Sequence, residues 1–378
     1  MPEKNKKHKR LFAGVYALVL AAFTGYVMLD TFTLPTVEIE DATGENTTMF
    51  EGLEVKKLTG SESESVQNGD DTADDNSSES ERSGGFTKPS KGSGRGRRSS
   101  SDTNGSTGKK RSSDNTATDT TEDTTASDSS SSVSADPVSA GSYNDDNISV
   151  NITEYYQNST KIYVADVKLS SAQYLKTAFA NGSFGKNITQ TTSDIADDNN
   201  AILAINGDYY GARETGCVIR NGIVYRDTAT SEQQVLCVYA DGSFDIISGD
   251  EADADTLVEN GVWQAFTFGP GLVDGGEITV DKNTEVGQAM ASNPRTAIGI
   301  IDDLHYVLVV SDGRTDESEG LSLYELAQFM QSVGCKSAYN LDGGGSSTMY
   351  FQGEIINTPV SHGSSGERKV SDIVYLAK

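Results

Sequence analysis

A stretch of about a hundred residues in the first half of this chain is too polar to fold, and that confines the rest. From residue 40 to 140 the sequence is Ser, Thr, Asp, Glu, Asn and Gly, with almost no aromatic or branched apolar side chains. Such a segment buries too little apolar surface to offset the entropy of ordering it, so it is expected to stay disordered. It carries a basic patch, Lys88 to Ser100, and a second at Lys109 to Arg111. Mixed charge of this kind reads as a solvated linker rather than a contact with anionic polymer. No heptad or solenoid period runs through it, so it is a tether. By flexible-chain scaling a tether of this length holds a domain about 50 to 60 Å from its anchor.

The anchor is expected at the N-terminus. Residues 4–10 read KNKKHKR, and Leu11 to Leu29 contain no charged residue. At the helical rise that run just spans a hydrocarbon core of about 30 Å. The Lys/Arg cluster before it favours a cytoplasmic N-terminus. A cleaved signal peptide has a similar charged start, but the apolar run is long and no clean small-x-small site follows Val27. The organisation read from sequence is therefore a basic cytoplasmic tail at 1–10, a single transmembrane anchor at 11–29, a linker at 30–142 and one extracellular domain at 143–378.

The segment from Tyr143 onward is long enough for one well-packed core. It holds all three cysteines, Cys217, Cys237 and Cys335, an odd number at irregular spacing. That is neither a disulfide framework nor a zinc pattern, and buried free thiols are the expected state. Of the three histidines only His362 is positioned to sit near chemistry, so a Ser-His-Asp hydrolase or a His-rich metal centre is not expected. The dense acidic loop Asp312 to Gly320 lacks EF-hand spacing, so no metal is expected there, and no motif implies a cofactor. Fourteen basic against thirty-three acidic residues from Tyr143 on argue against a nucleic-acid partner.

Strand-like runs dominate this region: 161–169, 201–206, 216–226, 234–247, 295–301, 305–314 and 348–356. Several are split by hairpin signals, Asn221-Gly222, Asp241-Gly242 and Gln352-Gly353. Two helices are predicted. One lies around 170–181. The other starts at a capping box, Ser322 with Glu325, and ends at Gly334, with Leu323, Leu326, Ala327, Met330 and Val333 on one face. The fold class is α+β, a mixed and largely antiparallel sheet with few helices in a single catalytic domain.

The densest chemical signal is SAYNLDGGGSSTMYFQG, Ser337 to Gly353. Consecutive glycines are kept where backbone must take positive φ or where a ligand approaches it closely. No Gly-Lys-Ser/Thr follows, so this is not a nucleotide P-loop. Polar residues also gather at other strand ends: Asn206 and Asp208 with Tyr209 and Tyr210, Arg295, and Asp312 with Arg314. Each taken alone is ordinary turn composition.

Together, LAINGDYYGARETGCVIRNG, FGPGLVDGG, NPRTAIGII, VVSDGR, NLDGGGSS and SSGERKVSDIVYLAK, in that order, resemble the phosphodiester glycosidase family from about Asn151 to the C-terminus. The resemblance implies an enzyme that removes N-acetylglucosamine from a sugar phosphodiester and leaves a phosphomonoester. It places Arg295 and Asp342 in the cleft. A phosphate monoester leaves without full protonation, so the usual need for two carboxylates is relaxed. The site needs cationic stabilisation of the departing phosphate, for which Arg295, Arg314 and Arg368 are candidates beside a backbone nest at Gly343, Gly344 and Gly345. It also needs a carboxylate as base or nucleophile, Asp342 or Asp208. Asn206, Tyr209, Asp312, Asn340, Ser346 and Ser347 complete the expected substrate-binding set. Two rivals share these motifs: a non-catalytic module that binds surface polysaccharide, and an exopolysaccharide biosynthesis factor. The first has no need of Asp208, Asp342 and Arg295 together.

Overall fold

Alternation of buried and exposed side chains along ten-residue strands sets the architecture. The computed structural model describes residues 44–53, 58, 135–284 and 292–378. The largest sheet has eight strands, in the spatial order Ala135–Asn144, Ile148–Gln157, Thr160–Leu169, His305–Ser311, Arg295–Asp302, Ser337–Asn340, Gly271–Asp274 and Glu277–Ile278. A second sheet of five strands runs Ile223–Asp227, Cys217–Arg220, Val262–Phe266, Gln234–Tyr239, Phe244–Ser248. The third, also of five, runs Glu354–Ile355, Met349–Phe351, Leu203–Asn206, Asp372–Leu376, Leu175–Phe179. Every strand pairing among the described residues is antiparallel, so the expected α+β class holds and no parallel component joins it.

The main core is shared by all three sheets. Ile148, Val150, Ile298, Leu308 and Tyr339 of the large sheet meet Leu236, Val238 and Phe266 of the second and Leu203, Ile205, Val374 and Leu376 of the third. The opposite face of the large sheet is covered by the helix Leu323–Ser332, whose Leu323, Leu326, Ala327 and Met330 pack on Ala297, Val307, Val309 and Ala338. The capping box forms as the sequence implies: Glu325 N–H donates to Ser322 Oγ at 3.2 Å, and Ser322 N–H donates to the Glu325 carboxylate at 2.8 Å. All three cysteines are buried and free, and burial pushes the Cys217 and Cys335 thiols up to about 12.

Three expectations change. The helix expected around 170–181 is a single 3₁₀ turn, Ala172–Tyr174, followed by the strand Leu175–Phe179. Leu175, Thr177 and Phe179 alternate inward, and pairing with Asp372–Leu376 overrides the local helical bias. The large sheet begins at Ala135, upstream of the boundary read at 143. Residues 44–53 lie within the stretch read as linker, yet they carry a 3₁₀ turn, Thr47–Phe50, and pack on the domain. Among the described residues no helix is long and apolar enough to cross a membrane, and the apolar run 11–29 lies outside them.

Candidate active site

Strand ends of the large and third sheets bring four motifs to one place. Arg295 opens its strand with its N–H on Ser311 Oγ at 3.0 Å and its Nε on the Leu321 carbonyl at 2.8 Å. Asp342 follows the Ser337–Asn340 strand, with its N–H on the Gly207 carbonyl at 3.2 Å. The chain then turns through Gly344, which takes φ of +64°. A Cβ there would sit 3.0 Å from Arg314 Nη2, so Gly344 is required both by its backbone and by the approach of that guanidinium. Arg314 donates to Asn293 Oδ1 from Nε and Nη2 at 3.1 and 2.7 Å. Arg368 donates from Nη2 to both Asp342 oxygens, at 3.0 and 3.3 Å, and from Nε to Ser346 Oγ at 2.8 Å. These groups line a cavity of about 190 Å³ formed by Phe268, Asn293, Arg295, Arg314, Asp342, Gly343, Gly344 and Arg368.

The electrostatics of the cavity are those of a carboxylate among guanidiniums. Burial raises the Asp342 pKa above its ordinary value, and Arg368, Ser346 and Arg213 oppose that rise. Burial, and then the neighbouring Arg314, push the Arg295 guanidinium down to about 10, so it stays protonated at neutral pH. Tyr209 stands at the rim, 42% exposed and left-handed at φ 66°, with the Arg368 guanidinium 5.9 Å from its ring.

Other expected site residues are placed elsewhere. Asp208 does not reach the cavity. It is wholly buried, with Oδ1 2.9 Å from Arg220 Nη2 and Oδ2 accepting from Thr267 N–H at 2.9 Å. The same guanidinium binds Asp372, from Nη2 at 2.8 Å and Nε at 2.9 Å, and lies 4.4 Å over the Phe266 ring. Two carboxylates therefore share one buried cation. Burial holds the Asp372 pKa well above its ordinary value, with Arg220 opposing and Asp208 adding to the rise. This ionic core holds Asp208 in a buried ion pair outside the cavity lining, although the sequence places it among the candidate carboxylates.

Asn206 is likewise a buried hub, its Nδ2 on the Asp342 carbonyl at 2.6 Å and its Oδ1 accepting from Thr296 Oγ1 and Thr348 N–H. Asp312 is buried against Thr358 N–H at 2.7 Å and Asn357 Nδ2 at 3.2 Å, and burial raises its pKa. Asn340 is buried with its Nδ2 on the Gly269 carbonyl. Ser347 Oγ contacts Thr296 Oγ1, and Gly345 packs against Ser361. None of these five lines the cavity. The expected nest is also partly committed, since Gly344 N–H donates to the Pro294 carbonyl at 2.8 Å. His362 is at an exposed turn of the ribbon Val360–Ser361/Ser364–Ser365. Residues without an assigned role in the sequence reading are Asn293 and Phe268, at the heads of the NPR and FGPG motifs, and Arg213, which lies 4.6 Å over the Phe268 ring.

Residues 199–377 match the family model of phosphodiester glycosidases. Over that span the chain is similar to a phosphodiester glycosidase domain. A prophage-derived protein, YomE of Bacillus subtilis, is 32% identical over 201 residues, covering 51% of this chain and 30% of the relative. Human N-acetylglucosamine-1-phosphodiester alpha-N-acetylglucosaminidase is 37% identical over 86 residues, covering 22% of this chain and 16% of that enzyme. This chain thus spans under a third of the length of those curated relatives. The catalytic domain of the zebrafish enzyme of that name, solved as auto-inhibited by its pro-peptide, superposes with a TM-score of 0.51 at 20% identity. It covers 64% of this chain and 87% of that structure, and shares the fold of the phosphodiester glycosidase domain.

Proposed function

We propose that the domain hydrolyses a sugar-1-phosphodiester of the N-acetylglucosamine type, releasing free sugar and a phosphomonoester from a cell-surface glycopolymer. The observation that carries this is one small cavity in which Asp342 meets Arg295, Arg314 and Arg368. A phosphodiester brings one negative charge, and the departing monoester gains another as the anomeric C–O bond breaks. Fixed guanidiniums favour that second charge more than the first, which is what lowers a barrier. In the proposed step the electron pair of the C–O bond passes to the bridging phosphate oxygen. Water adds to the anomeric carbon and gives its proton to Asp342. A carboxylate whose pKa is raised by burial is the better base, and Arg368 holds both its oxygens in place.

The cavity is smaller than the roughly 300–1,000 Å³ of an ordinary ligand cleft, so it takes the phosphate and the reacting end of the sugar. The exposed Tyr209 ring offers a face for the rest. The name of the human relative supports the choice of sugar. Incubating the purified chain with an α-N-acetylglucosamine-1-phosphodiester should release sugar and phosphomonoester in equal amounts. Turnover no higher than that of Asp342→Asn would sink the proposal. The basic residues 4–10 and apolar run 11–29 support an N-in membrane anchor with the domain outside. Proteinase added to intact cells should then remove the domain and leave a membrane-bound stub. Release of the domain with an N-terminus near residue 30 would show cleavage instead.

A further inference from the structure

The turn Asn221-Gly222 and the indole of Trp263 form a seat that is already occupied. Asn46 N–H donates to the Asn221 carbonyl at 2.8 Å. The Phe50 ring stands edge-on to Trp263, 4.8 Å between centroids at 78°. Glu45 pairs with Lys176 at 2.9 Å. Gly222, at φ +74°, donates its N–H to the Trp263 carbonyl, and a Cβ on it would meet Met49 Sδ at 2.5 Å and Asn46 Cβ at 2.8 Å. The single turn Thr47–Phe50 thus lies directly on glycine backbone, with Thr48 Oγ1 donating to Asn46 Oδ1 at 2.7 Å. Backbone pairing, an aromatic contact and an ion pair on one short peptide are the elements of specific peptide recognition. None of the seat residues lines the catalytic cavity.

We propose that residues 44–53 are a strap, recognised in cis by the Asn221-Gly222 turn and Trp263, which fastens the chain ahead of residues 54–134 onto the domain that follows them. A linked peptide acts at an effective concentration of the order of mM, so modest intrinsic affinity keeps the seat filled by its own chain. The seat is a binding surface separate from the catalytic cavity, and its ligand is a short segment with a single 3₁₀ turn, bearing an acidic residue, an asparagine and an aromatic.

Trp263 is the only tryptophan in the chain, so its fluorescence reports the seat directly. The full chain is prepared with a site-specific protease sequence placed within residues 54–134. In the intact form Trp263 emission should be that of a buried indole. Cleavage followed by dilution should shift emission to the red, and added synthetic peptide 41–56 should restore it with saturation. Phe50→Ala in the uncut chain should give the red shift without cleavage. The peptide carrying the same substitution should fail to restore it. The proposal is overturned if emission is unchanged by cleavage and dilution and by Phe50→Ala. It is overturned equally if emission of the intact chain depends on its concentration, because the strap would then come from a second copy. Far-UV circular dichroism of the cut chain distinguishes loss of the strap from unfolding, and a cut chain that unfolds refutes a separable strap.

Discussion

Replacing Asp342 by Asn separates the two roles a strand-end carboxylate can have. The amide keeps the size and much of the hydrogen bonding to Arg368 but cannot accept a proton. Loss of a general base is expected to lower kcat by about 10²-fold or more, about 2.7 kcal/mol of transition-state stabilisation. Stability should move far less. The Arg368 side chain is 37% exposed, so solvent screening leaves its pair with Asp342 worth about 0–1 kcal/mol. Against that loss, the variant no longer ionises a buried group. The sign follows from the raised pKa. A carboxyl whose folded pKa lies above its unfolded value stabilises fully below the unfolded value of about 3.8, and that contribution is lost as pH rises through the folded value. Asn lacks that loss, so the variant should gain on the wild type as pH rises across this window. The assay pairs steady-state turnover of the phosphodiester with urea midpoints on the same preparation at several pH values. Near-normal turnover in the folded variant would remove Asp342 from the chemistry. A stability loss above about 2 kcal/mol, with activity falling only in proportion to folded protein, would make it a structural residue.

The buried ionic core behaves differently: Arg220→Met strands two carboxylates and should cost about 3–5 kcal/mol or more in a denaturant titration, whereas Asp208→Asn leaves Arg220 paired with Asp372 and should retain turnover. Turnover of Asp208→Asn lowered as far as that of Asp342→Asn would return Asp208 to the catalytic set. The raised Asp372 pKa makes wild-type stability fall as pH rises from about 3.8 through the folded value, and Asp208→Asn should flatten that fall, as read from melting temperature against pH. Arg295→Lys loses the planar fork and the bond to the Leu321 carbonyl, so kcat/KM should drop by about 2.7–4 kcal/mol and stability by about 1 kcal/mol; unchanged kinetics would take Arg295 off the phosphate. Ser322→Ala should cost about 1 kcal/mol by thermal unfolding with kinetics untouched, and no change would mean that the capping box is dispensable.

Local signals carried much of the fold. The Asn221-Gly222 turn takes positive φ at both residues, and the capping box at Ser322 forms with both its bonds. Leu175–Phe179 was misread because its helical bias is local while its partner, Asp372–Leu376, lies at the far end of the chain. The same limit explains the site. Asp208 and Asp342 each follow a short strand ending in a polar residue, and composition treats them alike. Their difference is a cation: Arg220, from another sheet, closes over Asp208, while Arg368 meets Asp342 at the cavity wall. Phe268 and Asn293 stood within motifs, but only the packing of three sheets turns them toward one cavity.

The seat beneath Phe50 changes how far the cavity that holds Asp342 can travel from the proposed anchor. Fully extended, a chain covers at most about 3.3–3.6 Å per residue. With residues 44–53 in place, only residues 30–43 separate the domain from the proposed anchor, a leash of at most about 50 Å. Let go, the leash lengthens to residues 30–134, at most about 350–380 Å. On the proposed anchoring, with the domain outside, the two states would sample different depths from the membrane, and a change at one aromatic contact would select between them. A cut anywhere in residues 54–134 leaves the domain on its short leash for as long as Phe50 stays against Trp263.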